Sequence, residues 1–292
     1  MPTLYTSNVA RDSGYYRKKE RYESEHRGGR QMTNAEFDAV GYVGQDSRTH
    51  GVSDNGTSVF DPVLCELMYS WFSAPGDAVL HPFAGGSVRG VVASKMGRSY
   101  TGVELREEQV RADIEQGAAL CDVQPRWICG DSMDIDSLAS GRYDLILTCP
   151  PYADLEVYSD DPADISNMPF DEFESHMRAI ISKSVAMLDD DRFAVVVIGD
   201  ARGKDGNLRN IPGHIADMMI DAGAALYNDI ILVTPVGSLP IRVGRAFKAT
   251  RKVGTTHQRV LVFLKGDAHR ATDRLGEPDM VDLSEYEDGG ER

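Results

Sequence analysis

Ala78-Val79-Leu80-His81-Pro82-Phe83-Ala84-Gly85-Gly86-Ser87 is the stretch that decides the fold. The apolar run 78–83 follows Pro75-Gly76 and reads as a strand, and residues 88–96 recur at helical spacing. A strand that empties through glycines into a helix is the repeating unit of a parallel sheet with crossover helices. Gly85 and Gly86 let the backbone approach a ligand closely, and Ser87 stands as a helix N-cap candidate.

The same alternation extends outward. Val63, Leu64, Leu67, Met68 and Trp71 predict a helix over 61–72. Downstream, strands are expected at 100–104, 126–129, 143–148, 193–198, 225–234 and 260–265, with helices at 107–120, 170–188 and 211–222. The order implies an α/β, doubly wound, mostly parallel sheet of Rossmann-like type. The last two strands are expected to pair as an antiparallel hairpin.

Two acids fall at strand ends. Glu104 lies about twenty residues beyond the glycine turn, where a carboxylate can accept both hydroxyls of a ribose. Asp131, in Cys129-Gly130-Asp131-Ser132, is placed to receive an adenine amine. The turn lacks both GxGxxG and GK[ST], so adenosine with a non-phosphate tail fits better than a dinucleotide or a triphosphate.

The fourth strand runs into Thr148-Cys149-Pro150-Pro151-Tyr152. Two prolines fix φ, remove backbone donors and make a stiff ledge rich in acceptor carbonyls. An exocyclic base amine needs such acceptors, because its lone pair is delocalised into the ring. Tyr152 can stack on a flat base. Paired with the glycine turn, the ledge points to methyl transfer onto an amino group.

The chain has 292 residues, 41% hydrophobic and 26% charged, enough for one large α/β domain with extensions. No apolar stretch reaches the ~20 residues of a membrane helix, and residues 1–16 carry no signal-peptide core. Cytoplasmic placement is expected. Cys65, Cys121, Cys129 and Cys149 show no metal-binding spacing, and three of them are expected to be buried thiols.

The net charge of -15 hides an asymmetry. Residues 230–266 hold no Asp or Glu, whereas Arg242, Arg245, Lys248, Arg251, Lys252, Arg259 and Lys265 make them a candidate polyanion contact. Within this stretch, 235–258 is too long and too basic for a plain turn and is the expected target-reading element. Residues 267–292 hold nine acids and three arginines and read as an acidic disordered tail. Residues 1–56 read as a polar N-terminal extension, suited equally to nucleic-acid contact and to packing. That leaves 57–266 as the catalytic domain.

These motifs resemble the DNA amino-methyltransferases, which methylate cytosine N4 or adenine N6 with S-adenosylmethionine, and in particular the DNA methylases of bacteriophages. The resemblance rests on Phe60-Asp61-Pro62, 82–87, Gly102-Val103-Glu104-Leu105, Gly130-Asp131-Ser132, Cys149-Pro150-Pro151-Tyr152 and 256–263. It implies a cofactor site drawn from Ser58, His81, Pro82, Phe83, Gly85, Gly86, Ser87, Glu104, Leu105, Asp131 and Ser132. It also implies that Cys149, Pro150, Pro151 and Tyr152 hold a flipped base, with Arg242, Arg245, Lys248, Arg251 and Lys252 on the DNA. Two residues depart from the family pattern. His81 stands where Asp is usual, and Cys149 where Asp, Asn or Ser is usual. Serine is nearest in shape to cysteine and commoner in the N4-cytosine enzymes, which tilts the expected target to cytosine N4, with adenine N6 next.

The expected partner is DNA, with a second copy of this chain a further candidate, and no membrane or metal. If the chain is phage-encoded, its place is the host cytoplasm. A restriction partner would have to lie elsewhere, since no nuclease motif occurs in this sequence. Alternative readings are an RNA or protein-glutamine methyltransferase, or a non-catalytic nucleic-acid-binding relative. Covalent attack by Cys149 on cytosine C6 fits poorly, because Cys149 precedes the proline and no Glu-Asn-Val follows.

Overall fold

The computed structural model describes residues 60–153, 158–233 and 239–277. Helix α1, Pro62–Phe72, starts where Asp61 Oδ1 accepts from the N–H of Val63 at 2.8 Å and Pro62 supplies a preset φ. Then come β1 (Ala78–His81), α2 (Val88–Lys95), β2 (Ser99–Glu104), α3 (Glu107–Leu120) and β3 (Arg126–Cys129). A 3-10 turn at Ser132–Asp134 leads into the short α4 (Ile135–Leu138), and β4 (Tyr143–Thr148) follows. The remainder is α5 (Phe170–Met187), β5 (Leu188–Ile198), α6 (Ile211–Asp221), β6 (Ala225–Val233), α7 (Leu239–Thr250), β7 (His257–Lys265) and α8 (Ala268–Leu275).

The strands form one sheet in the order β3-β2-β1-β4-β5-β7-β6. β3, β2, β1, β4 and β5 run parallel, and β7 runs antiparallel to both neighbours. This is the Rossmann-like methyltransferase fold. β6 and β7 do pair antiparallel, but β7 slots between β5 and β6, so the hairpin closes inside the sheet rather than on its rim.

Side-chain alternation makes two cores. On β5, Phe193, Val195 and Val197 face α1, α2, α3 and α8, whereas Ala194, Val196 and Ile198 face α4, α5 and α6. Central strands buried on both faces read as unbroken apolar runs.

Several expectations need correction. β1 ends at His81, not at 83, because Pro82 cannot donate to the ladder. β5 begins at Leu188, five residues early, since Leu188 pairs with Tyr143 of β4 and Arg192 with Lys265 of β7, on either side of an irregularity at 189–191. The basic excursion contains helix α7. In the segment expected as a disordered tail, residues 268–275 are helical, with Ala271 buried. Arg270 pairs with Asp191 at 2.6 Å, and Arg274 pairs with Asp77 and, at 2.9 Å, with Asp144. Residues 1–59 and 278–292, Ser58 among them, lie outside the described residues. Only Cys65 is a buried thiol, because Cys129 ends an edge strand in solvent while Cys121 and Cys149 sit half-buried at element ends. No helix among the described residues is long and apolar enough to cross a membrane.

Candidate active site

The sheet order reverses between β1 and β4, which are parallel neighbours with Leu80 opposite Ile146. Ligands in such sheets bind at the carboxyl ends beside this switch. The glycine turn leaves β1 and the Pro-Pro-Tyr ledge leaves β4 at this point, so two motifs about sixty residues apart become neighbours.

Gly85 takes φ +54, in the left-handed region that favours glycine; Gly86 does not. The Gly85 N–H donates to Glu104 Oε2 at 2.9 Å, and Glu104 Oε1 accepts from the Arg106 N–H at 3.1 Å. The β2 acid is therefore oriented against the turn. Asp131 Oδ1 caps the next 3-10 turn by accepting from Met133 N–H at 2.8 Å. Asp131 and Glu104 end adjacent parallel strands. Leu105 follows, half-buried, its carbonyl 3.6 Å from Cys129 Sγ.

Behind the turn stands Arg89, on α2, a residue the sequence reading missed. It is buried, and its Nη2 donates to the carbonyls of Phe83 at 3.0 Å and Ala84 at 2.6 Å. Its guanidinium also lies 4.6 Å over the Phe60 ring. An arginine in a helix pattern ordinarily points to solvent, so no local signal marks this one.

Three predicted site residues support the turn from behind. His81 is fully buried on the α1 face, with Nε2 2.8 Å from the Tyr69 hydroxyl. Tyr69 gives its proton to the Arg89 carbonyl at 3.0 Å, so His81 Nε2 carries the hydrogen and Nδ1 is left bare. Burial, with Arg89 adding to it, holds the imidazole well below its usual pKa, hence neutral. Ser87 makes no cap bond; its hydroxyl faces Gln116 of α3. Ser132 bonds the Pro82 carbonyl and ties β3 to the turn. Pro82 and Phe83 pack toward the α4–α6 core, Phe83 half-buried.

The ledge is braced from β7, two strands away in the sheet. Gln258 Nε2, opening β7, donates to the Tyr152 hydroxyl at 2.6 Å, and Cys149 Sγ lies 3.5 Å from the same oxygen. Pro150 is buried, whereas Cys149, Pro151 and Tyr152 are half-buried. Ala153 follows with φ 55, a left-handed value that strains a residue with a Cβ. Gln258 was visible within the closing-strand motif, but nothing local assigned it a task.

Of the basic residues, Arg245, Lys248 and Arg251 are exposed and Lys252 is half-buried; Arg242 falls within the span of α7. A Cβ placed on Gly199, just past the end of β5, would stand 3.8 Å from the Gln258 side chain and 3.9 Å from the Tyr152 ring, so the chain leaves β5 beside the ledge.

No protein-family model matches the chain. No curated protein matches it either. Among solved structures, TrmN from Thermus thermophilus is similar, with TM-score 0.48 and 16% identity over 70% of this chain; the chain spans 49% of TrmN. A methyltransferase from Pyrococcus furiosus gives TM-score 0.48 and 16% identity, covering 87% of this chain and 100% of that one. Magnesium protoporphyrin IX methyltransferase from Synechocystis, with bound SAM, gives 0.47 and 13%, covering 91% and 100%.

Proposed function

We propose that this chain is a DNA amino-methyltransferase that uses S-adenosylmethionine and acts on an exocyclic base amine, cytosine N4 before adenine N6. The observation that carries this reading is the juxtaposition of the glycine turn and the Cys149-Pro150-Pro151-Tyr152 ledge at the ends of β1 and β4, with Glu104 bonded to Gly85 beside them.

The cofactor supplies an electrophilic methyl group. The residues fit it: Gly85 keeps the backbone open, Glu104 faces the turn to take ribose hydroxyls, and Asp131 at the next strand end takes the adenine amine. At the ledge the Pro150 carbonyl accepts from the target amine and orients its nitrogen. Cys149 contributes less, since a thiol is a weak acceptor. Tyr152, held by Gln258, stacks on the extruded base. Catalysis is then positioning and exclusion of water.

The test is mass spectrometry of nucleosides from plasmid DNA incubated with the protein and methyl-labelled cofactor, beside a Pro151→Ala, Tyr152→Ala variant. Label in N4-methylcytosine or N6-methyladenine that the variant fails to produce would bear the proposal out. Cofactor binding without label in DNA would move the substrate to RNA or protein.

A further inference from the structure

The chain between β5 and α6 does something its length does not require. After Gly199, residues 201–210 fold back on themselves, with a bridge between Arg202 and Leu208 and a bond from Arg209 N–H to the Ala201 carbonyl at 2.9 Å. The segment holds Arg202, Lys204 and Arg209 against one acid, Asp205. That acid is engaged locally: Asp205 accepts from Asn207 N–H at 3.0 Å and from its side-chain amide at 2.8 Å. Asp200, at the base, accepts from Ala201 and Ile211 N–H groups at 2.9 and 3.1 Å. Arg202 and Lys204 are exposed.

The tip of this hairpin meets the basic excursion. A methyl group placed on Gly206 would stand 2.7 Å from Lys252 Nζ, so the lysine lies across the turn. From there α7 extends as a helix with no acid, carrying exposed Arg245 and Lys248, and Arg251 follows 5.2 Å over the Phe247 ring. Phe247 is 44% exposed. Phe247 is thus an exposed aromatic ring among cations, on a helix that packs extensively against no other described element.

We propose that hairpin 201–210 and α7 form a single two-walled cradle for a polynucleotide strand. Phosphates lie on Arg202, Lys204, Arg245 and Lys248, and a nucleobase stacks on Phe247. The inference rests on the proposed function for its choice of DNA, but the cradle's chemistry does not depend on methyl transfer. Cations on two separate chain segments neutralise successive phosphates, and an aromatic face accepts any base. The hairpin springs from beside the ledge, since a Cβ placed on Gly199, at its root, would stand 3.8 Å from Gln258 and 3.9 Å from Tyr152.

The experiment is fluorescence anisotropy of a labelled DNA oligonucleotide titrated with the full chain over a salt series, without cofactor. The Arg202→Gln, Lys204→Gln variant should weaken binding and flatten the slope of log K against log salt by roughly 1.5. Phe247→Ala should lose at least about fivefold in affinity with the slope unchanged, and Phe247→Trp should keep it. Lys95→Gln, on an exposed residue at the end of α2, is the control that changes neither. A wild-type slope in the double variant, or Phe247→Ala within twofold of wild type, would overturn the cradle. RNA of the same sequence is titrated in parallel. Binding of RNA in place of DNA keeps the cradle and removes the DNA reading, and binding of neither removes the cradle. Binding with these effects but no methyl transfer leaves the cradle standing and the proposed activity failed.

Discussion

Gln258 donates its side-chain amide to the Tyr152 hydroxyl at 2.6 Å, joining residues 106 apart in sequence. Removing the amide with Gln258→Leu forfeits about 1 kcal/mol and frees the tyrosine ring. The expected outcome is a fall in kcat with little change in cofactor affinity, while Gln258→Glu, whose carboxylate can accept from the tyrosine hydroxyl in a reversed bond, retains part of the activity. Equal loss in both variants, tracking a fall in Tm, would assign Gln258 to stability alone.

Gly85→Ala tests the turn. At φ +54 a Cβ costs about 1–2 kcal/mol, and here it would also approach Arg89 Nη2 to 3.3 Å. Cofactor affinity measured by calorimetry should fall at least about fivefold. Undiminished affinity would mean that the turn does not approach the ligand.

Cys149→Ser replaces a weak acceptor with a good one of the same shape. Methyl transfer in the serine variant should equal or exceed wild type, by a factor of several, whereas Cys149→Ala should fall below it. A serine variant as poor as alanine would mean that the thiol itself is required.

Burial pushes the Asp113 carboxyl up to about 8, opposed by the Gln109 amide at 2.9 Å. Folding therefore takes up a proton wherever the unfolded carboxyl, with its ordinary value of 3.8, is ionised. A raised folded value contributes stability that is full below 3.8 and declines until pH passes about 8. Asp113→Asn removes this dependence. Between pH 6 and 7.5 the variant should gain on wild type by about 1.4 kcal/mol per pH unit in urea unfolding. Parallel curves for the two proteins would refute the neutral carboxyl.

Arg274 reaches Asp77 and Asp144, tying α8 to the amino end of β1 and β4. Arg274→Ala leaves the nearly buried Asp77 without this partner and should cost about 1–3 kcal/mol. Hydrogen exchange should then rise first in 268–275. Unchanged protection there would show that Ala271 packing alone holds the helix.

The individual elements were legible because each is written in local periodicity. α3, β3 and β4 occupy the expected spans, and the apolar runs 145–147 of β4 and 193–198 of β5 announce strands buried on both faces. Departures came where local rules were outvoted. The acids of 267–292 suggested a solvated tail, because a charge count ignores that Arg270 and Arg274 face acids of the body. The basic excursion hid a helix whose Leu239-Pro240 opening and Gly244 weaken its helical pattern.

What the sequence determined alone is the set of parts: alternating strands and helices, a glycine turn, acids at strand ends and a proline ledge. Spacing over neighbouring residues specifies these, because backbone φ/ψ preferences and side-chain periodicity are local. Only the tertiary structure decided that His81 faces Tyr69 behind the turn, that Gln258 holds Tyr152, and that the hairpin tip meets Lys252. Those contacts depend on strand order and on which face each strand turns to which helix layer. They join residues as far apart as Asp77 and Arg274, 197 positions, and no local period encodes such a distance.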